Sequence, residues 1–115
     1  MVKNLTMVDV SSQTDSILLI KDSMDIIMED IHISDIQQLV IQIRHSIISN
    51  VVKLNLTNCY QGIEVIDRSN IMVSSSMFIN VGNTDVVSGG AIHSSDSNTT
   101  ISNSSFSKCH AKQGG

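Results

Sequence analysis

One spacing of apolar residues returns four times along this chain, and it limits the fold more than any single motif does. The four sets are Ile26, Met28, Ile31, Ile33; Ser49, Val51, Leu54, Leu56; Ile71, Val73, Ser76, Phe78; and Thr99, Ile101, Ser104, Phe106. Within each set the residues alternate, skip one extra position, and alternate again. A period of two is one face of a strand, and the extra position shifts the inward phase as a bend or bulge does. Four-residue blocks mark the same repeat: Met7-Val8-Asp9-Val10, Ile33-Ser34-Asp35-Ile36, Leu56-Thr57-Asn58-Cys59, Phe78-Ile79-Asn80-Val81 and Phe106-Ser107-Lys108-Cys109. Their ends are 26, 23, 22 and 28 residues apart. Ser23, Ser46, Ser69 and Ser97 close a third short segment, 13, 13, 12 and 12 residues before the next block end. Length variation therefore collects at one corner, chiefly in Ser11 to Asp15 and Gly82 to Ser88.

Composition agrees with strands. The 115 residues include 17 Ile and 19 Ser but only 3% aromatics and no Pro or Trp. Ile fits a pleated surface, whereas Ser, Asn and Asp compete with helical backbone bonds. Three short strands per repeat of 22–28 residues leave no room for a helix. The expected fold is all-β, a right-handed parallel β-helix (solenoid) of about four to five coils with a narrow, elongated core. Residues 1–115 are expected to be one partial domain, a fragment of a longer repeat protein. An antiparallel sandwich would not return like residues at like positions and would show Asn-Gly or Asp-Gly hairpin turns, which the chain lacks. Leucine-rich repeats share the period but not the Leu-x-x-Leu-x-Leu signature. A net charge of -4 offers no basic stripe for nucleic acid. No apolar run approaches the roughly 20 residues of a membrane-spanning helix, so this segment is not expected to insert into a membrane.

The later repeats carry a family likeness. Gly89-Gly90-Ala91-Ile92, the Phe-centred blocks and the closing Gly114-Gly115 resemble the repeats of the polymorphic outer membrane protein family, with its GGAI-like and FxxN-like signatures. The likeness covers about the last third of the chain, from Phe78 to Gly115. Upstream, Gly62-Ile63 keeps one glycine and Gln38-Leu39 keeps neither, and Val81 and Cys109 stand where the family has Asn. The resemblance implies a divergent relative, similar to large surface repeat proteins: a β-helix exposed at a cell surface, acting in adhesion or as structural material. It supplies no catalytic residue.

Candidate sites are few. Cys59 and Cys109 hold the same place in repeats separated by one other, so about 4.8 Å per strand puts their Cα atoms roughly 10 Å apart, beyond the ~7 Å reach of a disulfide. Two free, inward cysteines are expected. Four sequons make Asn4, Asn55, Asn98 and Asn103 candidate N-glycosylation sites in a eukaryotic secretory setting, with outward polar residues or stacked Asn ladders as the plain alternative. Asp22, Asp25, Glu29 and Asp30 cluster in the first full repeat. Pectate-lyase-type enzymes hold calcium with carboxylates on an outer groove, which makes a polysaccharide-active enzyme fragment the alternative function. Against it, these carboxylates do not recur in neighbouring repeats, and no Lys or Arg stands at an equivalent position as a base. His32, His45, His93 and His110 lack ligand spacing, and no G-x-S-x-G marks a nucleophile. No catalytic, cofactor-binding or metal-ligating residue is expected.

The expected function is non-catalytic: an extracellular or cell-surface structural or adhesive segment. Its expected partners are neighbouring coils or identical copies, stacked end to end through strand edges into filaments, together with surface glycans or proteins. Recognition by the corner around Gly82 to Ser88 is a third possibility that the sequence does not separate from scaffolding.

Overall fold

A computed structural model of the chain describes residues 2–3, 6–8, 16–82 and 90–110. Every regular element among them is a strand, as the apolar alternation requires. The larger sheet is built on β1 (Val2–Lys3), β4 (Met24–Ser34), β6 (Ile47–Cys59), β8 (Asn70–Ser74) and β11 (Asn98–Ser102). It is extended by β2 (Thr6–Val8), β9 (Met77–Val81) and β12 (Ser105–Ser107). The smaller sheet is β3 (Ser16–Lys21), β5 (Leu39–Arg44), β7 (Gln61–Ile66) and β10 (Ile92–Ser94). All pairings are parallel, for example Ile33 to Leu56 to Phe78 to Phe106, and Leu18 to Ile41 to Ile63 to Ile92.

The all-β class stands, but the expected right-handed parallel β-helix solenoid does not. The strands form two parallel sheets, of which one curls into a half-barrel. The sequence suggested three separate strands per repeat. In the structure the two strands expected on either side of the bend run on as single strands of 11 and 13 residues in β4 and β6. They thus belong to one curled sheet instead of two flat ones. Nor is the body elongated: its principal extents are 33 × 32 × 29 Å. A half-barrel closed by a second sheet lets Ile, Val and Leu from both meet in one cluster, which runs from Met28 to Ala91.

Inside, the repeat is nearly as expected. Met28, Ile31 and Ile33, then Val51, Leu54 and Leu56, then Ile71, Val73 and Phe78 are buried. One alignment is corrected. Ile48, not Ser49, lies opposite Ile26 and Ile71, because irregularities in β4 and β6 shift the register there. Another correction concerns the glycines. Ile63 lies opposite Ile92, so Gly62 faces Ala91 and Gln61 faces Gly90. A Cβ on Gly62 would strike the carbonyl oxygen of Ala91, and one on Gly90 that of His110. Each glycine is needed because the following segment's backbone passes so close.

The bends have a backbone cause. Among the described residues, 14 non-glycine residues have positive φ, and nine of these are Asp or Asn. Twelve of the 14 stack at three corners: Asp22, His45, Arg68 and Asp96; Asp30, Lys53, Ser75 and Asn103; Asp35, Asn58, Asn80 and Lys108. The left-handed conformation costs an ordinary L-residue about 1–2 kcal/mol, and Asx side chains tolerate it best. At the third corner Asn80 Nδ2 donates to Asn58 Oδ1 (2.8 Å), and Asn58 Nδ2 donates to Asp35 Oδ1 (3.2 Å). In urea unfolding, Lys53→Gly is expected to raise stability by about 1 kcal/mol by releasing this strain. Asn58→Val is expected to lower it by about 2 kcal/mol, since it puts a β-branched residue at positive φ and breaks the amide ladder.

Candidate binding trough

The serines that mark the repeat in sequence are structural. Ser23, Ser46 and Ser69 hydroxyls donate to main-chain carbonyls of Lys21 (3.0 Å), Arg44 (2.8 Å) and Ile66 (2.7 Å). The N–H groups of Ser23, Ser46 and Ser69 donate to the hydroxyl oxygens of Ser46 (3.1 Å), Ser69 (3.0 Å) and Ser97 (3.0 Å). Ser46 and Ser69 are buried. Each bridging hydroxyl thereby spends its proton on a carbonyl and its lone pair on the neighbouring strand, which leaves no activated nucleophile.

This ladder floors an open trough across successive strands. One wall is the left-handed corner: Asp22, His45, Arg68 and Asp96. The other is the row Met24, Ile47, Asn70 and Asn98, set by parallel register. Met24 and Ile47 are 72% and 49% exposed, an apolar stretch open to solvent rather than turned into the core. On the outer slope, His45 Nδ1 donates to Asp22 Oδ1 (3.0 Å), and Arg44 reaches Asp67 Oδ2 through Nε and a terminal nitrogen, both at 3.0 Å. Both pairs are more than 40% exposed, so solvent screens them. Arg68 lines the trough and the slope and forms no ion pair among the described residues. The arrangement suits an extended ligand that lays an apolar edge on Met24 and Ile47 and offers an acceptor to Arg68.

The acidic residues singled out from sequence do not converge. Asp22 faces His45, while Asp25 and Asp30 occupy separate left-handed positions and Glu29 lies in β4 opposite Val52. Among the described residues no group of three or more His, Cys, Asp or Glu is placed to hold a metal ion. The histidines are dispersed too: His32 accepts from Asn55 Nδ2 (3.1 Å), and His93 lies 3.7 Å from Glu64. The main-chain N–H of His110 donates to the Val81 carbonyl (3.0 Å).

Of the sequons, Asn4 lies outside the described residues. Asn98 and Asn103 are exposed, Asn103 with a φ of 48°. Asn55 is half-buried and engaged by His32. The Gly82 to Ser88 insertion also lies outside the described residues after Gly82, as does Ser11 to Asp15. The trough itself was hidden in the sequence because its walls are built from corner residues of four different repeats. The alignment of Asp22 with His45, Arg68 and Asp96, each just ahead of a repeat-closing serine, was the available signal.

Both cysteines are free. Cys59 is buried beside Ile36 and Val81, and Cys109 is half-exposed at the edge of the core. Burial pushes the Cys59 thiol above its ordinary pKa, with main-chain hydrogen bonds to Ile36 and Thr57 opposing the shift. No protein family, characterised protein or solved structure matches this chain. Alkylation of the native protein followed by mass spectrometry is expected to label Cys109 at least tenfold faster than Cys59, with the rates converging in denaturant. Equal native rates would contradict the burial of Cys59.

Proposed function

We propose that the chain is a non-catalytic structural and adhesive segment, working outside the cell or at its surface, that holds an extended glycan or protein chain along its trough. The observation that carries this reading is the continuity of the trough. One floor of hydrogen-bonded serines crosses four repeats, with an apolar wall at Met24 and Ile47 and, at Arg68, a guanidinium that forms no ion pair among the described residues. Equivalent positions repeat at about 4.8 Å, the spacing of neighbouring strands, which favours several weak contacts over one deep pocket. The likeness of Gly89-Gly90-Ala91-Ile92 and the Phe-centred blocks to polymorphic outer membrane protein repeats supports a surface location, and exposed Asn98 and Asn103 suit a secreted glycoprotein. The scattered placement of Asp22, Asp25, Glu29 and Asp30 gives the polysaccharide-active alternative no supporting geometry.

The test is binding of the purified chain to arrayed surface glycans and extracellular-matrix proteins. Arg68→Ala and Ile47→Ser are expected to weaken any captured ligand at least tenfold each, while thermal unfolding stays close to that of the parent chain. Binding that is unchanged in both variants, or no ligand at all, would overturn the trough reading.

A further inference from the structure

Successive repeats set the charges along the trough wall in a fixed order. The left-handed corner residues run Asp22, His45, Arg68, Asp96, one per strand, so neighbours stand about 4.8 Å apart. The His45 ring faces the Asp22 carboxylate at 3.0 Å. On the outer slope Asp67 takes Arg44, and Lys21 lines that slope and not the trough. Arg68 is thus the guanidinium of the trough lining, with the Asp96 carboxylate one strand away on one side and the Asp22 carboxylate two strands away on the other. It lies inside the row, with a described repeat on either side.

The floor and the opposite wall narrow the ligand further. The N–H groups and hydroxyls of Ser46 and Ser69 are bonded within the fold, and their carbonyls accept from the N–H groups of Asn70 (3.0 Å) and Asn98 (2.9 Å). An extended peptide brings an N–H and a carbonyl with every residue, and this floor has no main-chain donor left to meet them. A glycan instead carries hydroxyls at the rim of rings whose C–H faces are apolar. Exposed Met24 and Ile47 suit such a face, and the exposed amides of Asn70 and Asn98 both donate and accept. The exposed Asp96 carboxylate accepts from hydroxyls and repels acids, whereas a guanidinium takes a carboxylate through two parallel hydrogen bonds.

We propose that the trough holds a glycan with isolated carboxylates: one uronate-type acid group seated on Arg68 and a neutral, hydroxyl-bearing sugar beside Asp96. This inference rests on the trough reading and gives it a ligand class. The same order of charges selects against dense polyanions, because acid groups on successive sugars would meet Asp96 and Asp22. Charges one or two strands apart lie within the Debye length of about 10 Å at 0.1 M salt, so the discrimination is felt in dilute buffer and fades as salt rises.

Calorimetric titration of the purified 115-residue chain in about 0.1 M salt tests this with four probes of equal length. They are a hyaluronan fragment with a uronate on alternate sugars, its carboxyl-reduced form, a densely charged heparin fragment, and an acidic peptide. The hyaluronan fragment is expected to bind at least tenfold tighter than its carboxyl-reduced form and at least threefold tighter than heparin. Arg68→Gln is expected to erase the first preference. Asp96→Asn is expected to tighten heparin at least threefold and leave hyaluronan unchanged. Both side chains are exposed, so each variant is expected to melt with the parent. Equal binding of the carboxyl-reduced form, heparin tighter than hyaluronan in the parent, a peptide tighter than any glycan, or no binding of hyaluronan would overturn the proposal. Ile47→Ser separates the two levels: if it weakens glycans that show no acid preference, the trough stands and the acid assignment falls. If it changes no probe, the trough reading itself falls.

Discussion

The structure depends on how one strand is tied to the next where the chain turns. At each turn the backbone leaves the extended region. The flanking main-chain groups still pair with the neighbouring repeat, as the Asp22 N–H does with the Arg44 carbonyl (3.2 Å) and the Ile47 N–H with the Ser23 carbonyl (2.9 Å). The corner serine's own N–H, however, needs another acceptor close to the core. The buried hydroxyls of Ser46 and Ser69 meet this need by accepting from the preceding strand's N–H and donating to their own strand's carbonyl. Ser76 does the same at a second corner, accepting from the Leu54 N–H (3.1 Å) and donating to the Ser74 carbonyl (2.9 Å). No described buried side-chain polar atom lacks a partner. An unmade bond at such a place costs about 1–3 kcal/mol, so the serines matter more than their small side chains suggest.

The corners then decide the architecture. Left-handed residues at Asp30 and Lys53 turn β4 and β6 without ending them, so the larger sheet curls instead of breaking in two. In the later repeats the same corner falls at Ser75 and Asn103, and there the ladder does break, into β8 and β9 and into β11 and β12. Curling brings Leu54, Leu56 and Phe78 toward Ile41, Ile43 and Ile63 of the smaller sheet, and all are fully buried.

Much of the interior was legible in the sequence, because alternation at fixed spacing is a direct consequence of strand geometry. The block ends Ile36, Cys59 and Val81 are buried as their recurrence implied. The path of the backbone between strands was less legible. Alternation around Asp30 reads alike for two strands and for one bent strand, which is why a three-sided solenoid was expected where two sheets stand. The register error at Ser49 has the same origin, since irregular pairing absorbs a residue without changing composition. Glycine was overread: Gly62 and Gly90 are not equivalent, and each answers to a different carbonyl. The trough was illegible for a further reason, since an exposed Met24 and an Arg68 at a corner carry no pattern until four repeats are aligned in space.

The corner serines also link fold to function, for they floor the trough and hold Asp22, His45, Arg68 and Asp96 in a row. The central claim is that each corner is tied to the next by a serine hydroxyl. Amide hydrogen exchange read by NMR on the parent chain and on Ser69→Ala tests it most directly. The Ser46 N–H, which donates to the Ser69 hydroxyl at 3.0 Å, is predicted to be protected in the parent and to exchange at least tenfold faster in the variant. The amides of β5 are predicted to stay slow. A Ser46 amide that exchanges freely in the parent, or one indifferent to the loss of the Ser69 hydroxyl, would contradict the account.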